Sequence, residues 1–582
     1  MLRSKYFLRM QGCSIVFLAL FLVACDLQLL SESELSDQNQ SQDLVPHYAV
    51  ASAHPLATQA GIEILKQGGN AFDAAVAVTS TLAVVEPYAS GLGGGGFWLL
   101  HVADTHQDIM LDGRETAPLA STRDMYVDAS GNPTQLSVTG PLAAGIPGVP
   151  AAMVHLAENY GRLPLNVLLN FSIEAANNGF AVSEHYQRLA SARMATLLRS
   201  PQAAAIFLDH GQAPSSGYIL KQPQLAKVLV SIRDFGRDGF YTGEIAQKLV
   251  HGNQQAGGIW QLKDLEQYQV IERQPITGSY KNISIISAAS PSSGGIVLMQ
   301  MFNMLSMLDI NELNALERTH AIVEVMRRAY FERASYLGDA DFIEVPVNTL
   351  LSMPHAEDLL ADYSSQHATD SHNYLRETNM LDDAVLQEGQ NTTHFSILDQ
   401  AGNYVAATLS INYPFGSGFV PAGTGVLLNN EMDDFVIKPG HPNLWGLVDN
   451  EANAIEPGKR MLSSMSPTFL DDGNRTAILG TPGGSRIITM VLLSALEFAN
   501  GADAETMVAL LRFHHQFLPD QIQFEMHAID AMTQTSLTSM GHTLKERQHS
   551  YGNMQTIIWD KQMGRVTAAS DPRGIGDAKV SQ

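Results

Sequence analysis

The chain has 582 residues, of which 45% are hydrophobic and only 16% are charged. This balance supports a large buried core and excludes a disordered or fibrous chain. The net charge of −24 disfavours nucleic acid as a partner, because an acidic surface repels phosphate backbones. The two cysteines, Cys13 and Cys25, are too few for a secreted disulfide scaffold. The length alone suggests three or four domains, although large single α/β domains also exist.

The N-terminus has the pattern of an export signal. Three basic residues within the first nine precede an uncharged run, 10–25, that is too short to span a bilayer. The run ends in Leu-Val-Ala-Cys, which resembles the lipobox of bacterial lipoproteins. This resemblance implies removal of a signal peptide, 1–24, and lipid attachment to Cys25. An ordinary signal with an incidental cysteine, or an uncleaved anchor, is the alternative.

The N-terminal sequence also predicts the cellular location of the protein and its attachment to the membrane. We expect a bacterial, exported protein that is periplasmic and held to the membrane by the lipid on Cys25. Asp26 resembles the residue that retains some lipoproteins in the inner membrane. Residues 25–46 are rich in Ser, Gln and acidic side chains, a composition typical of a flexible tether. From residue 47 onward no long linker or repeat interrupts the sequence, which predicts one continuous α/β body.

Two helices are predicted at the start of this body. Residues 57–67 have apolar positions in helical register and stop at Gly68-Gly69. Asn70 can cap a second helix, 71–85, whose surface is apolar on nearly all sides and therefore buried. The four glycines 93–96 lead into a predicted strand, 97–102. They lack the Lys-Ser/Thr pair of a phosphate-binding loop, so a tight packing loop is the better interpretation.

Thr392 begins a predicted hairpin. Residues from Thr392 to Asp399 have the period of a strand, 400–402 form a turn, and 403–410 form the returning strand. If Asp399 pairs with Asn403, Thr392 lies opposite Ser410, and Asn412 lies diagonally beyond. Two neighbouring hydroxyls can form a reactive site or simply a polar ladder pair, and on the hairpin alone the ladder pair is the better interpretation.

A series of short motifs resembles those of the γ-glutamyltranspeptidases, which are N-terminal-nucleophile hydrolases. The resemblance extends from about residue 47 to 577 and rests on the number, order and spacing of the motifs. They are GGNAFDAA at 68–75, LGGGGF at 92–97, RETAP at 114–118, PSSGG at 291–295, TTHFS at 392–396, NNEMDDF at 429–435, SSMSP at 463–467, PGGSR at 482–486 and SDPR at 570–573.

The resemblance implies a fold and a maturation reaction. The fold is an α/β (α+β) four-layer αββα sandwich, in which two stacked, mainly antiparallel sheets are flanked by helices. The precursor cleaves itself between Asn391 and Thr392, giving a large subunit, 47–391, and a small subunit, 392–582, that remain together as a heterodimer. Thr392 then supplies a hydroxyl nucleophile and an α-amine base, since an α-amine has an ordinary pKa near 8.

The same motif matching implies a site for the zwitterionic head of a glutamyl group. Arg114 would bind the α-carboxylate, because its planar guanidinium matches a carboxylate, with help from Ser463 and Ser464. The α-ammonium would be held by Asn412, Glu431 and Asp434, of which Asp434 is the strongest ionic partner. Taken alone, a lone arginine or carboxylate is more often a structural ion pair or cap.

Further matches imply an oxyanion hole and a lid. Gly483 and Gly484 follow a predicted strand, 476–480, and precede an apolar helix, 486–498, where backbone N–H groups attract developing negative charge. Residues 438–445 resemble the lid over the glutamyl pocket, with Trp445 where other members have Tyr; its indole N–H can still donate one hydrogen bond.

His514-His515 is predicted to be structural, because adjacent histidines do not converge well on one ion.

The resemblance implies a γ-glutamyltransferase and glutathione hydrolase without cofactor or metal. Its partners would be glutathione, other γ-glutamyl compounds, and amino-acid or peptide acceptors. A glutaryl (cephalosporin) acylase of the same superfamily is the closest alternative, but its substrate lacks the α-ammonium that Asn412, Glu431 and Asp434 would hold. A lipid-anchored binding protein that never matures is a third hypothesis, and the presence of Thr392 and Ser410 argues against it.

Overall fold

The computed structural model describes residues 45–374 and 392–581. The predictions for the signal peptide, Cys25, Asp26, Asn391 and the tether up to residue 44 concern residues outside these ranges. Among the described residues, no helix combines the length and the apolar character that a membrane crossing requires.

The described strands fall into two large sheets and two small ones. In chain order they are β1 Ala49–Ser52, β2 Gly95–Val102, β3 Gln107–Gly113, β4 Phe180–Ala181, β5 Ile219–Leu220, β6 Ile271–Arg273, β7 Ile276–Tyr280, β8 Ile283–Ser287, β9 Thr393–Leu398, β10 Tyr404–Ser410, β11 Thr468–Asp471, β12 Arg475–Gly480, β13 Phe513–His514, β14 Ile522–Phe524, β15 Leu544–Glu546, β16 Gln555–Asp560, β17 Arg565–Ser570 and β18 Asp577–Val580.

The described helices surround these sheets. In chain order they are α1 Pro55–Lys66, α2 Ala71–Val85, α3 Val149–Asn159, α4 Leu165–Leu168, α5 Asn170–Asn178, α6 Glu184–Leu197, α7 Pro201–Phe207, α8 Pro223–Phe235, α9 Asp238–Tyr241, α10 Gly243–Gln255, α11 Leu262–Gln267, α12 Gly294–Leu308, α13 Ala315–Tyr336, α14 Val347–Leu350, α15 Met353–Leu359, α16 Ile487–Ala499, α17 Ala504–Ala509 and α18 Ala531–Ser539.

The two large sheets form the centre of the molecule. One has the strand order β18-β1-β9-β10-β2-β3-β6 and the other the order β17-β16-β12-β11-β8-β7, and the strand pairs in both are antiparallel. Strands β9 and β10 pack on β12 and β16 across the space between the sheets. Helices α1, α2 and α3 cover the first sheet, and α12, α16 and α17 cover the second. The predicted four-layer αββα sandwich is therefore confirmed.

The central hairpin has the predicted register. Tyr404 pairs with Leu398 and Leu409 with Thr393, which places Thr392 opposite Ser410. Alternate residues of β9 face two different cores: Phe395 and Ile397 pack with the helices outside the sheet, whereas Leu398 packs with the second sheet. Because both faces of β9 are buried, a one-residue slip would exchange its two sets of side chains, and the register is strongly fixed.

The N-terminal elements agree with the predictions to within two residues. Helix α2 has the predicted bounds and is stabilised by a capping box. The Asn70 side chain accepts a hydrogen bond from the Asp73 backbone N–H, and the Asp73 side chain accepts one from the Asn70 backbone N–H. Helix α1 begins two residues earlier than predicted, because Pro55 suits the first helical turn and His54 caps it. The body also begins earlier: the Val45 N–H donates to the Gln400 carbonyl at 3.0 Å, so the tether ends before residue 45.

Gly93 and Gly94 form a tight packing loop, as predicted, whereas Gly95 and Gly96 already belong to β2, which begins two residues before the predicted strand. A Cβ atom on Gly93 would lie 2.0 Å from the Leu427 carbonyl oxygen, and one on Gly94 would lie 2.1 Å from the Ser410 carbonyl oxygen. Only glycine therefore allows the start of β2 to approach the end of β10. This close approach positions the strand that carries Ser410.

Candidate active site

Thr392 stands directly before β9 at the end of the central hairpin. Its side-chain hydroxyl lies 3.4 Å from the Ser410 hydroxyl, which also accepts a hydrogen bond from the Asn412 N–H at 2.7 Å. Thr392 is buried and has a φ of 146°, a backbone conformation that β-branched residues rarely adopt. This strained torsion directly follows the peptide bond at which the family resemblance implies cleavage.

One small cavity brings most of the predicted site residues together. Its volume is about 20 Å³, little more than one water molecule needs. A γ-glutamyl group therefore requires the cavity to open. The predicted site residues in its lining are Arg114, Thr392, Ser410, Asn412, Glu431, Asp434, Trp445, Ser463, Ser464 and Gly484. Gly483 is the neighbour of Gly484 and is not itself part of the lining.

Arg114 lies at the centre of a buried group of charges. Its Nη1 is 2.7 Å from a Glu431 carboxylate oxygen and 3.5 Å from Glu115, and its Nη2 is 2.6 Å from Asp434. The Nε donates to the Met461 carbonyl at 3.2 Å. Burial, followed by the charge of Glu431, raises the pKa of Glu115 and of Asp434 well above the usual carboxyl range.

Several buried polar atoms near Arg114 have no hydrogen-bond partner among the described residues. They are one carboxylate oxygen each of Glu115 and Glu431, and the Ser464 hydroxyl. Buried polar atoms are normally satisfied, so an unsatisfied set that lines or borders one cavity indicates a ligand that supplies the missing partners. The sequence identified Glu431 and Ser464 but missed Glu115, which adjoins Arg114 in the same motif.

The segment with Ser463 and Ser464 is fixed by the PSSGG motif. The Ser463 carbonyl accepts from the Ser293 N–H at 2.8 Å and from the Ser293 hydroxyl at 2.7 Å. The Ser463 hydroxyl accepts from the Met465 N–H at 3.1 Å. These bonds hold the backbone rigidly and leave the Ser464 hydroxyl at the cavity.

Gly483 and Gly484 form the turn between β12 and α16. Their φ values of 147° and 59° lie in the region that favours glycine. A Cβ atom on Gly484 would lie 2.2 Å from the Trp445 ring, so glycine is also required by close packing. The predicted helix start at residue 486 is one residue too early, because 484–486 form a 3₁₀ turn before Ile487. The N-terminus of α16 thus borders the cavity.

Trp445 closes the cavity and makes the hydrogen bond that its indole permits. Its Nε1 donates to the Asn412 side-chain oxygen at 2.7 Å, and its backbone carbonyl accepts from the Gln516 side chain at 3.1 Å. The Asn412 amide also donates to the Asn430 carbonyl at 3.0 Å. Asn412 is therefore the hydrogen-bond partner of Trp445 as well as a lining residue of the cavity.

A second small cavity touches Thr392 and contains a carboxylate that the sequence did not single out. Glu86 accepts from the Thr393 hydroxyl at 2.7 Å and from the Tyr88 hydroxyl at 3.0 Å. Burial raises the Glu86 pKa to about 7, and these two hydrogen bonds lower it only in part. The cavity has a volume of about 20 Å³ and includes His185, Asn553 and Gly574 in its wall. Thr392 thus lies between two spaces.

The histidines near the site have structural roles. His394 is completely buried, pairs with the Thr408 hydroxyl at 2.9 Å, and has its pKa lowered to about 3 by burial, so it is a neutral core residue. His514 pairs with Thr489 and Gln516, whereas His515 pairs with Asp520. The two adjacent rings bind different partners, as predicted.

The described residues include one buried group with the composition of a metal site. His320, Glu324 and His542 have potential ligand atoms within 4.8 Å of one another. The Glu324 carboxylate, however, already forms ion pairs with Arg327 and Arg328. Two adjacent guanidinium groups disfavour a cation there, so the cluster is a buried ion-pair network.

Comparison with known proteins agrees with this geometry. The family model described as "Gamma-glutamyltranspeptidase" matches residues 57–581. The chain is 40% identical to the glutathione hydrolase proenzyme of Pseudomonas sp. (strain A14) over 537 residues, which cover 90% of this chain and 92% of that protein. It is 38% identical to the glutathione hydrolase proenzyme of Escherichia coli (strain K12), with 91% of this chain and 90% of that protein covered.

Solved structures give the same fold. A cephalosporin acylase from Bacillus halodurans matches with a TM-score of 0.80 and 25% identity, over 92% of this chain and 96% of its own. The γ-glutamyltranspeptidase of Helicobacter pylori matches with a TM-score of 0.54 and 36% identity, over 61% of this chain and 99% of its own. The acylase shares the fold, and the family model and the more similar sequences decide the family. The chain belongs to the γ-glutamyltranspeptidase family.

Proposed function

We propose that the protein is a γ-glutamyltransferase and glutathione hydrolase that is made as a proenzyme. The observation that carries this proposal is the position of Thr392 in one cavity with Arg114, Glu431 and Asp434. A guanidinium and two carboxylates match the α-carboxylate and α-ammonium of a γ-glutamyl group, and the threonine hydroxyl lies beside them. Glutathione and related γ-glutamyl compounds are the substrates.

Maturation begins at the strained Thr392. Its hydroxyl attacks the carbonyl carbon of Asn391, the C–N bond breaks, and the acyl group moves from nitrogen to oxygen as an ester. Water then hydrolyses this ester, which gives a C-terminal carboxylate on Asn391 and a free α-amine on Thr392. Relief of the backbone strain at Thr392 favours cleavage. The products are a large subunit ending at Asn391 and a small subunit starting at Thr392.

In the mature enzyme, the Thr392 α-amine accepts the hydroxyl proton while the oxygen attacks the substrate's γ-carbonyl. The oxyanion that forms is stabilised by the backbone N–H groups at Gly483 and Gly484, a contribution of about 3–4 kcal/mol per donor in comparable sites. Collapse expels the leaving amine, which takes the proton from the α-ammonium. Water or an acceptor amine then attacks the γ-glutamyl ester and regenerates Thr392.

Substrate specificity against a glutaryl acylase follows from the acids around Arg114. A glutaryl group carries a carboxylate but no α-ammonium, so it would compete with Glu431 and Asp434 for Arg114 and bring no cation to replace that partner. An unpaired buried charge is costly. These two acids therefore favour a γ-glutamyl substrate over a glutaryl one.

The experiment uses the whole chain. After expression, a denaturing gel reports splitting into two fragments, and γ-glutamyl-p-nitroanilide is assayed beside glutaryl-p-nitroanilide. Thr392→Ala should give an unsplit, inactive chain, whereas Thr535→Ala, at an exposed position of α18, should behave as the unaltered protein. An unsplit, inactive unaltered chain would refute the enzyme proposal, and preferred glutaryl cleavage would support the acylase.

We also propose that the enzyme is periplasmic and anchored by a lipid on Cys25. The support is the N-terminal sequence: a basic segment, a short apolar run and Leu-Val-Ala-Cys. Asp26 supports retention at the inner membrane. The unaltered protein should sediment with membranes, and Cys25→Ala should move it to the soluble fraction or leave its signal uncut. Equal membrane association and equal mass for both proteins would contradict the lipid anchor.

A further inference from the structure

A cavity of about 750 Å³ lies outside the glutamyl site and is rich in arginine. Its lining contains Arg188, Arg486, Arg547 and Arg573, together with His549 and Tyr551, and none of the described residues in the lining is an aspartate or glutamate. The chain as a whole has 59 acidic and 35 basic residues. A cavity lined by one sign of charge, opposite to that of the whole protein, indicates an anionic ligand.

The four arginines are held in different ways. The positive charge of Arg573 is balanced by acidic residues outside the lining, because its guanidinium pairs with Glu525 at 2.7 Å and with Asp571 at 3.1 Å. The guanidinium carbons of Arg486 and Arg547 lie 5.3 and 6.0 Å from the centre of the Tyr551 ring, which restrains both side chains. Arg188 is exposed at the rim on α6. This arrangement positions planar, fork-shaped donors around an open space.

The arginine-lined cavity and the second small cavity at Thr392 are lined by residues that are close together in the chain. The same helix and the same two chain segments contribute to both spaces, so the two spaces are neighbours. Helix α6 contributes His185 to the small cavity and Arg188 to the large one. The segment 551–553 contributes Asn553 to the small cavity and Tyr551 to the large one. The segment 573–574 contributes Gly574 to the small cavity and Arg573 to the large one. Thr392 therefore has the predicted glutamyl-binding group on one side and, on the other, a small cavity whose lining adjoins that of the arginine-lined cavity.

The reaction requires a place for the part of the substrate beyond the scissile amide. In glutathione this part is a dipeptide that ends in an α-carboxylate. An amino acid or peptide acceptor also carries an α-carboxylate, and its amine must attack from the position that the leaving amine vacated. The leaving peptide and the acceptor therefore occupy the same region, and both present a carboxylate that suits arginine.

We propose that the arginine-lined cavity is the subsite for the α-carboxylate of the leaving peptide and of the acceptor peptide. This inference rests on the proposed function, since it assigns the second half of the same reaction. The glutamyl head binds at Arg114, the scissile carbonyl lies at Thr392, and the terminal carboxylate extends toward Arg188 and Arg547.

The test compares substrates with and without this carboxylate. The leaving group of γ-glutamyl-p-nitroanilide has none, and glycylglycine amide lacks the one that glycylglycine carries. The double variant Arg188→Gln/Arg547→Gln should lower the ratio of kcat/KM for glutathione to that for γ-glutamyl-p-nitroanilide about tenfold or more, the effect of losing a charge-assisted hydrogen bond. It should raise the KM for glycylglycine by a similar factor relative to glycylglycine amide. Arg233→Gln, at a partly exposed arginine outside the lining, should leave both ratios unchanged.

The outcomes separate this inference from the proposed function. If the double variant left both substrate ratios unchanged, the proposed subsite would be overturned. An effect with glutathione alone, or with glycylglycine alone, would overturn the proposal that the leaving peptide and the acceptor share one subsite. An equal loss with both donors would overturn it as well, since the arginines would then act on the protein as a whole. If the unaltered protein turned over no γ-glutamyl compound, the proposed function itself would fail.

Discussion

Arg114 is paired, in the small cavity, with the carboxylates that we propose to bind the α-ammonium of the substrate. Glu431 and Asp434 both contact its guanidinium, and Glu115 lies beside them. Three carboxylates exceed the charge of one guanidinium, and burial raises the pKa of Glu115 and Asp434 well above the usual range. In the proposed function, a bound γ-glutamyl group would add an ammonium and a carboxylate, so the ammonium would replace Arg114 as the partner of the acids while Arg114 would turn to the new carboxylate.

This exchange predicts a pH-dependent KM. Because the raised pKa keeps Asp434 protonated at higher pH than usual, and only the ionised form pairs with an ammonium, affinity should fall as pH decreases. The KM for γ-glutamyl-p-nitroanilide should therefore rise steadily on acidification. Asp434→Asn should raise KM about tenfold or more at neutral pH and flatten this dependence. KM–pH profiles of both proteins provide the measurement, and parallel profiles would contradict the role of Asp434.

The hydrogen bond from Trp445 to Asn412 leads to a prediction about closure of the proposed lid, which can be tested separately from the charges at Arg114. Trp445→Phe removes the donor to Asn412 but keeps a ring against Gly484, whereas Trp445→Tyr keeps a hydroxyl donor. Loss of one neutral hydrogen bond should weaken lid closure and raise KM about two- to tenfold in the Phe variant, with a smaller change in the Tyr variant. Steady-state kinetics with one donor substrate decides the point. Equal KM values for the Phe variant and the unaltered protein would mean that the hydrogen bond does not hold the lid.

At the scale of elements, the approach of β2 to β10 sets the Thr392–Ser410 geometry. Gly94→Ala would place a Cβ atom 2.1 Å from the Ser410 backbone oxygen, so one strand must move, at a typical cost of about 1–3 kcal/mol. We expect lower thermal stability and slower splitting of the proenzyme. Gly91→Ala is the matched control, since its new Cβ atom would meet nothing closer than 3.7 Å. Gels and thermal unfolding curves report both effects, and normal splitting of the Gly94 variant would show that this contact does not position Ser410.

Local patterns predicted some elements well because their causes are local. The capping box fixes α2, and the three-residue turn fixes the register of β9 and β10. The start of α1 was wrong by two residues, since the cap by His54 has no simple sequence signal. The periodicity of the sequence could not predict contacts between residues that are far apart in the chain. Glu86 meets Thr393 across 307 positions, and Arg114 meets Asp434 across 320. The family resemblance supplied Arg114 and Asp434, and nothing in the sequence pointed to Glu86.

At the scale of the whole molecule, the proposed cut at Asn391–Thr392 would leave the two subunits interleaved. In the first large sheet, β1 of the large subunit lies between β18 and β9 of the small subunit, and β10 of the small subunit pairs with β2 of the large one. In the second, β11 of the small subunit pairs with β8 of the large one. Separation of the subunits would therefore break both sheets and the cores packed on them.

This topology predicts that dissociation and global unfolding of the mature enzyme are one event. The two fragments should elute together from a size-exclusion column without denaturant. As denaturant is raised, loss of co-elution and loss of circular dichroism should follow a single shared transition, because no smaller set of contacts holds the subunits together. Thr392→Ala, uncut, is the control: it should unfold in one transition without producing fragments. Fragments that separate at a denaturant concentration where the circular dichroism is still native would contradict the interleaved arrangement.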